Sequence, residues 1–298
     1  MTMETHSVAS TDVNLSAREW PNPGAPTVIL VHGYPDSQVV WEAAANRLAE
    51  QHGLRVITYD VRGAGQSTAP PDRRGYRIDR LVDDLVAVMD QLTGPDSRVH
   101  VVGHDWGSMQ LWDAVTTEDT DARLHGRLLS FTSIGGPSLD HMAHVLRRAR
   151  NERDLNLLLR QGLNSWYIYA FHVPWLPEQL WRRATPQLRR RIAATERLGD
   201  GSHWGETFTK DATNGLNLYR ANIQDRMRHP RSGKTGVPVQ LIVPKHDNYV
   251  VPEVLANLEE FVPELTRVDV DAGHWAAVQQ PDVVAGLIAD HVRAHEPA

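Results

Sequence analysis

The chain has 298 residues, no cysteine and a formal net charge of -6 at neutral pH. Without thiols it can form neither disulfides nor thiolate metal sites nor a cysteine nucleophile, and its mild acidity gives no overall attraction to nucleic acid or to an anionic membrane. This length accommodates one large α/β domain or two ordinary ones with a substantial core, while no apolar run approaches the ~20 residues of a membrane span.

The amino terminus, to about residue 10, has neither a basic start nor an apolar centre, so it reads as a disordered tail rather than a signal peptide, and a soluble cytoplasmic protein is expected. Residues 13–18 read as an edge strand and Pro21-Asn22-Pro23-Gly24 as a turn. Residues 27–31, Thr-Val-Ile-Leu-Val, form a central strand that runs into His32-Gly33-Tyr34-Pro35. There the glycine permits a close turn, the X-Pro bond is a candidate for the cis form, and the loop can present a backbone donor to an anion. An amphipathic helix is expected over 41–50 and a third strand over 54–60. The glycine-rich residues 61–67 that follow lack the G-x-G-x-x-G order and do not open onto a helix, which argues against a phosphate cradle. Residues 79–92 carry the next helical spacing.

Residues 98–102 then form a short β-branched strand, and 110–115 a helix, joined through Gly103-His104-Asp105-Trp106-Gly107. Glycines two places either side of Asp105 make the G-x-nucleophile-x-G elbow with an acid where serine is usual. Asp105 is therefore the candidate nucleophile. Another strand, 127–134, ends at Gly135-Gly136-Pro137. From 138 to 234 the strand–helix alternation stops, and the stretch is helical in pattern, arginine-rich and aromatic. An all-helical insertion between two strands suits a lid over a pocket, and its arginines, interleaved with apolar residues at helical spacing, read as solvated helix faces rather than an RNA-binding surface. Alternation resumes with a strand over 237–243, a loop carrying Asp247, a helix over 252–261, a last strand over 267–270, Gly273-His274-Trp275, and a closing helix over 276–294. The expected class is α/β with a mostly parallel central sheet covered on both faces, divided into core residues 1–137, helical cap residues 138–234 and core residues 235–298. No internal repeat or low-complexity tract is present.

Asp105, Asp247 and His274 stand in the chain order nucleophile, acid, base, each just past a strand end, where an open α/β sheet binds its ligands. His32-Gly33-Tyr34-Pro35, the stretch from Asp60 to Ser67, the Asp105 elbow and Gly273-His274-Trp275 resemble the α/β-hydrolase-fold epoxide hydrolases over essentially the whole chain. The chain is also similar to the hydrolase half of actinobacterial proteins in which such a domain precedes a short-chain dehydrogenase; no dinucleotide fingerprint occurs before Ala298, so no redox half is expected.

A carboxylate ordinarily titrates near ~3.9 and is charged at neutral pH, so it can attack tetrahedral carbon directly and form an ester. His274, oriented by Asp247, would activate water to hydrolyse that ester, with the backbone N–H groups of Tyr34 and Trp106 as candidate oxyanion donors. The resemblance further implies two lid tyrosines that protonate the departing alkoxide. Residues 166–174 resemble the first lid motif and point to Tyr167, with Tyr169 as the alternative register, and residues 216–220 resemble the second and point to Tyr219. Trp106, Trp166, Phe171 and Trp275 suggest an apolar substrate pocket. The expected partners are a small-molecule epoxide and water, with no cofactor, metal, nucleic acid or membrane span; the sequence does not set the oligomeric state. Haloalkane dehalogenases share the Asp-Trp elbow but usually place an amide or acid where Tyr34 stands, and a non-catalytic ligand-binding protein of this fold is the third reading. In one departure from the epoxide hydrolase pattern, an acid is common shortly after the His-Trp pair, whereas Gln279-Gln280-Pro281 offers none.

Overall fold

The computed structural model describes residues 2–201 and 203–297. Eight strands, β1 (Glu4–Ala9), β2 (Asn14–Trp20), β3 (Thr27–Val31), β4 (Arg55–Tyr59), β5 (Val99–His104), β6 (Leu128–Ile134), β7 (Val239–Pro244) and β8 (Leu265–Val270), form one sheet in the spatial order 1-2-4-3-5-6-7-8. The β1–β2 and β2–β4 pairs are antiparallel, and every other pair is parallel. Strands β3 to β7 are buried at nearly every position, as parallel strands must be when helices cover both faces. One helical layer pairs α1 (Glu42–Glu50) with the carboxyl-terminal α9 (Ala276–Gln279) and α10 (Pro281–Ala294); the other pairs α2 (Ile78–Val88) with α3 (Trp106–Thr117), which lies on β5 and β6.

Between β6 and β7 the chain leaves the sheet for five helices, α4 (Leu139–Glu152), α5 (Leu155–Asn164), α6 (Trp166–Phe171), α7 (Leu176–Thr195) and α8 (Phe208–Arg228). Ser138 and Asp154 start α4 and α5 by accepting from backbone N–H groups of their first turns, which otherwise lack partners. Helix α8 packs on α4, α6 and α7 and is fastened to the core by polar side chains. Asn222 accepts from Ile78 N–H at 2.9 Å and donates to Tyr76 carbonyl at 2.8 Å, and Asn214 donates to Gly63 carbonyl at 2.8 Å. The Arg226 guanidinium joins Asp113 of α3 to Asp140 of α4, both at 2.7 Å.

Four expectations need correction. Residues 4–9 are not a disordered tail but the true edge strand, in register Glu4↔Glu19 to Ala9↔Asn14, so β2 is interior; Met1 lies outside the described residues. Only Val8 of β1 is deeply buried, and the strand is held by its backbone ladder and by Gln91, which both donates to and accepts from Ala9. The helix expected over 252–261 is one 3₁₀ turn, Pro252–Leu255, cut short before Asn257, whose φ of 57° cannot continue a right-handed helix. The closing helix is two, broken at Gln280 because Pro281 lacks the N–H that would continue α9 and instead begins α10. Residues 78–92 are α-helical only to Val88 and finish in a π turn, Met89–Thr93, that ends at Gly94. Among the described residues no helix is long and apolar enough to cross a membrane.

Candidate active site

Because β3, β5, β7 and β8 run parallel, the loops after their carboxyl ends gather at one edge of the sheet. Asp105 sits at the strand-to-helix turn between β5 and α3 with φ 52° and ψ -120°, a conformation that costs a side-chain-bearing residue ~1–3 kcal/mol. Its surroundings leave no alternative. A Cβ on Gly103 would lie 2.5 Å from Ser108 N, and one on Gly107 would lie 2.1 Å from Val31 carbonyl, so only glycines let the turn close against β3.

The His32–Pro35 loop faces this elbow. Its His32 is fixed at both ring nitrogens: Val61 N–H donates to Nε2 at 2.9 Å, which leaves Nδ1 as the donor to Gly33 carbonyl. Burial lowers its pKa, in keeping with a neutral ring. The loop contains the cis Tyr34–Pro35 bond and directs Tyr34 N–H onto Asp105 Oδ1 at 2.7 Å. The second expected donor, Trp106, is the first residue of α3, where a backbone N–H has no acceptor within the helix.

His274 lies between two carboxylates. Its Nδ1 is 2.9 Å from Asp247 Oδ2, and its Nε2 is 3.7 Å from Asp105 Oδ2. Asp247 is itself held by Tyr249 and Val250 N–H groups on Oδ1, at 2.7 and 3.0 Å. Burial alone would lower the His274 pKa, but the charges of Asp247 and Asp105 outweigh it and hold the imidazole well above its ordinary 6.5.

Above the elbow the insertion contributes an aromatic cluster. The Tyr219 ring on α8 meets those of Trp106, Phe171 and Tyr34 edge-on at 5.0, 5.0 and 5.3 Å, and Tyr167 on α6 lies 6.0 Å from it. Burial first, then the Asp105 charge, raises the Tyr167 pKa, and burial followed by Tyr167 and Asp105 raises that of Tyr219. Both phenols therefore stay protonated across the neutral range. Tyr169, the alternative register, is 76 % exposed. Two of the expected pocket residues stand elsewhere. Trp166 is 66 % exposed on the outer side of α6, and Trp275 is buried with its indole Nε1 on Asp36 at 3.0 Å, where it serves as framework rather than pocket wall.

Four residues of this neighbourhood escaped the sequence reading. Asp36 accepts from Trp204 Nε1 at 2.6 Å as well as from Trp275 and lies 3.7 Å from His104 Nδ1. Burial works to raise its pKa, but His104 and the Trp204 indole outweigh it and lower it. His104 bonds through Nε2 to His274 carbonyl at 3.0 Å, so Asp36 and His104 stand behind His274. Tyr249 brings a third phenol, 4.8 Å from the His274 ring and 5.7 Å from Tyr167. Glu196, buried at the end of α7, accepts from Asn248, next to Asp247, at 2.9 Å. Asp36 and His104 adjoin recognisable motifs and were open to suspicion; nothing local marks Glu196. Gln279 explains how the His274 loop does without the usual acid. Its Oε1 accepts from Gly273 N–H at 2.6 Å, as a carboxylate would, and its Nε2 donates to Glu196 carbonyl, as a carboxylate could not.

A family model described as the alpha/beta hydrolase fold matches residues 26–281. "Probable oxidoreductase EphD" of Mycobacterium tuberculosis (strain ATCC 25618 / H37Rv) is 36% identical over 279 residues, which cover 90% of this chain and 46% of that protein. The chain thus spans about half the length of that relative. "Epoxide hydrolase 4" of Homo sapiens is 24% identical over 286 residues, 89% of this chain and 72% of the human protein. Among solved structures, an inhibitor complex of Bacillus megaterium epoxide hydrolase superposes with a TM-score of 0.77 at 19% identity, covering 97% of this chain and 100% of that one.

Proposed function

The chain belongs to the α/β-hydrolase family, and on that premise we propose that it hydrolyses an epoxide to a vicinal diol through an ester on Asp105. An Asp105 oxygen attacks a ring carbon. The new C–O bond forms as the strained C–O bond breaks, and the departing alkoxide takes a proton from Tyr219 or Tyr167. The protonated phenols above the elbow are the observation that carries this assignment, because an alkoxide is too basic to leave without an acid. His274 then accepts a proton from water, and the hydroxide adds to the Asp105 carboxyl carbon. Negative charge gathers on an Asp105 oxygen, where Tyr34 N–H already stands 2.7 Å away and Trp106 N–H is the second donor; one such donor contributes ~3 kcal/mol. Collapse of this intermediate, in which the hydroxyl just added gives its proton to the departing oxygen, releases the diol, leaves a water oxygen on Asp105 and returns His274 to its protonated resting form.

Esterification also switches the base on. While Asp105 is charged it helps keep His274 protonated; once it is an ester that charge is gone, so the imidazole gives this proton to the phenolate and is free to accept another when water must be activated. In this reading residues 138–234 are the lid, its phenols the acids, and the rings of Trp106, Phe171, Tyr219 and Tyr34 select a small apolar epoxide. The other activity in the mycobacterial relative's printed name is not carried over, because the match covers 46% of that protein. The glycine-rich loop at 61–67, moreover, spends the N–H groups of Gly65 and Gln66 on carboxylates, Asp211 at 2.9 Å and Asp60 at 2.8 Å.

One observation favours a second reading, haloalkane dehalogenation. Trp106 Nε1 is buried with no hydrogen-bond partner among the described residues, and an indole N–H suits a halide. A panel of terminal epoxides and short haloalkanes separates the two. Diol release that Tyr219→Phe suppresses supports the first reading, and halide release indifferent to that change overturns it.

A further inference from the structure

The chain's overall acidity conceals a division of charge. Residues 139–195, from α4 through α7, hold ten arginines and no lysine against four acids, a formal +6 in a chain whose total is -6. The same segment carries an apolar outer face. On α5, Leu155, Leu159 and Leu163 recur every four residues and so share one stripe; with Trp166 of α6 and Trp175 just before α7 they are between 64 and 71 % exposed. Helix α6 turns Tyr167 and Phe171 to the aromatic cluster and Trp166 and Tyr169 outward. It is therefore apolar all round, a pattern expected of helices covered on every side.

On α7 the spacing of four and three puts Leu176, Leu180 and Arg183 on one face, with Arg190 two turns further along it, and all four are exposed. The face thus passes from apolar to basic along its length. Of the large apolar side chains that the described residues expose, all but Met3 and Val283 lie between Leu155 and Leu180, unlike the singly scattered apolar residues of an ordinary surface.

We propose that the outer face of α5, α6 and α7 as far as Arg190 docks onto an anionic lipid bilayer. The leucines and tryptophans enter the boundary between headgroups and acyl chains, and the arginines meet lipid phosphates. No described helix crosses a membrane, so the protein lies on the surface. A second copy of the chain is the poorer occupant, because a two-fold interface sets each patch against its own image and would bring two arginine-rich segments together, although Arg148 and Arg160 are paired with Glu260 and Glu253. Tyr167 shares α6 with the exposed Trp166, so a docked molecule would hold the roof of the proposed site against the lipid.

Co-sedimentation of the full chain with extruded vesicles tests this without reference to turnover. Binding should be at least about tenfold tighter to phosphatidylglycerol-containing vesicles than to pure phosphatidylcholine, should weaken as salt is raised, and should shift tryptophan emission to the blue. Leu159→Glu with Leu163→Glu should lower retention about tenfold or more while leaving hydrolysis of a water-soluble epoxide unchanged, and Arg183→Glu with Arg190→Glu should do the same. Equal binding to neutral and anionic vesicles overturns the proposal, as does no binding to either. Concentration-dependent dimerisation abolished by the leucine pair, without vesicle binding, assigns the face to a second copy instead.

Discussion

Replacing Tyr219 by phenylalanine deletes one hydroxyl and leaves the ring in place. Because that ring packs edge-on against Trp106, Phe171 and Tyr34 at 5.0, 5.0 and 5.3 Å, stability should change by less than about 1 kcal/mol. The loss falls on the departing oxygen. A hydrogen bond to a charged group contributes ~1.5–3 kcal/mol, so formation of the ester should slow by ~10- to 150-fold. It should not stop, because Tyr167 lies 6.0 Å from Tyr219 and retains a second phenol. Single-turnover kinetics with enzyme in excess isolate this step: tryptophan fluorescence in a stopped-flow instrument reports changes next to Trp106, and rapid acid quench followed by mass analysis counts the ester. Hydrolysis of the ester formed should be less affected. An esterification rate within twofold of the parent, in a variant of unchanged melting temperature, refutes the assignment of Tyr219 as an acid.

Other consequences follow from the same contacts. Asp105→Asn removes one of the two charges that raise the His274 pKa, so the imidazole should titrate at lower pH in that variant; histidine NMR resonances followed against pH read this directly, and an unchanged titration contradicts the proposed switch. Arg62 and Asp84 form a buried pair, Nε to Oδ2 and Nη2 to Oδ1 both at 2.7 Å, and Asp84→Asn leaves the guanidinium with Asp12, at 3.0 Å, as its remaining counter-charge, so chemical denaturation should register a loss of ~1.5–3 kcal/mol. Burial lifts the Asp211 pKa to about 7. A carboxyl raised by folding stabilises the native state below its unfolded pKa near ~3.9 and loses that contribution as pH rises through about 7. Asp211→Asn should therefore gain stability relative to the parent by a few kcal/mol as pH rises from about 4 to about 7 and hold that gain above it, and urea midpoints with a constant difference between about pH 4 and 7 would exclude it.

The strands and the elbow were legible because each is written locally. Residues 27–31 and 99–104 are continuous buried runs, and Asp105 announces itself by its flanking glycines. The amino-terminal strand was not legible, because an edge strand with one deeply buried side chain has no apolar period to read; its backbone pairing with β2 and its bonds to Gln91, 82 residues away, hold it. Trp166 and Tyr167 are neighbours with opposite fates, and only the seating of α6 on α8 decides which of them faces inward. Asp36 meets Trp204 across 168 positions, and Glu196 meets Asn248 across 52. Such contacts belong to the folded arrangement, so motif spacing finds the candidate reacting residues but not those that hold them.

The covalent route is tested most directly by one turnover in water enriched in oxygen-18, with Asp105 supplying the first oxygen transferred. The account predicts that the diol from this first turnover carries no label, and that the label appears instead on the Asp105 carboxylate when the enzyme is digested and its peptides weighed. Labelled diol from the first turnover, with unlabelled Asp105, would mean that water attacks the epoxide directly and that the ester does not form.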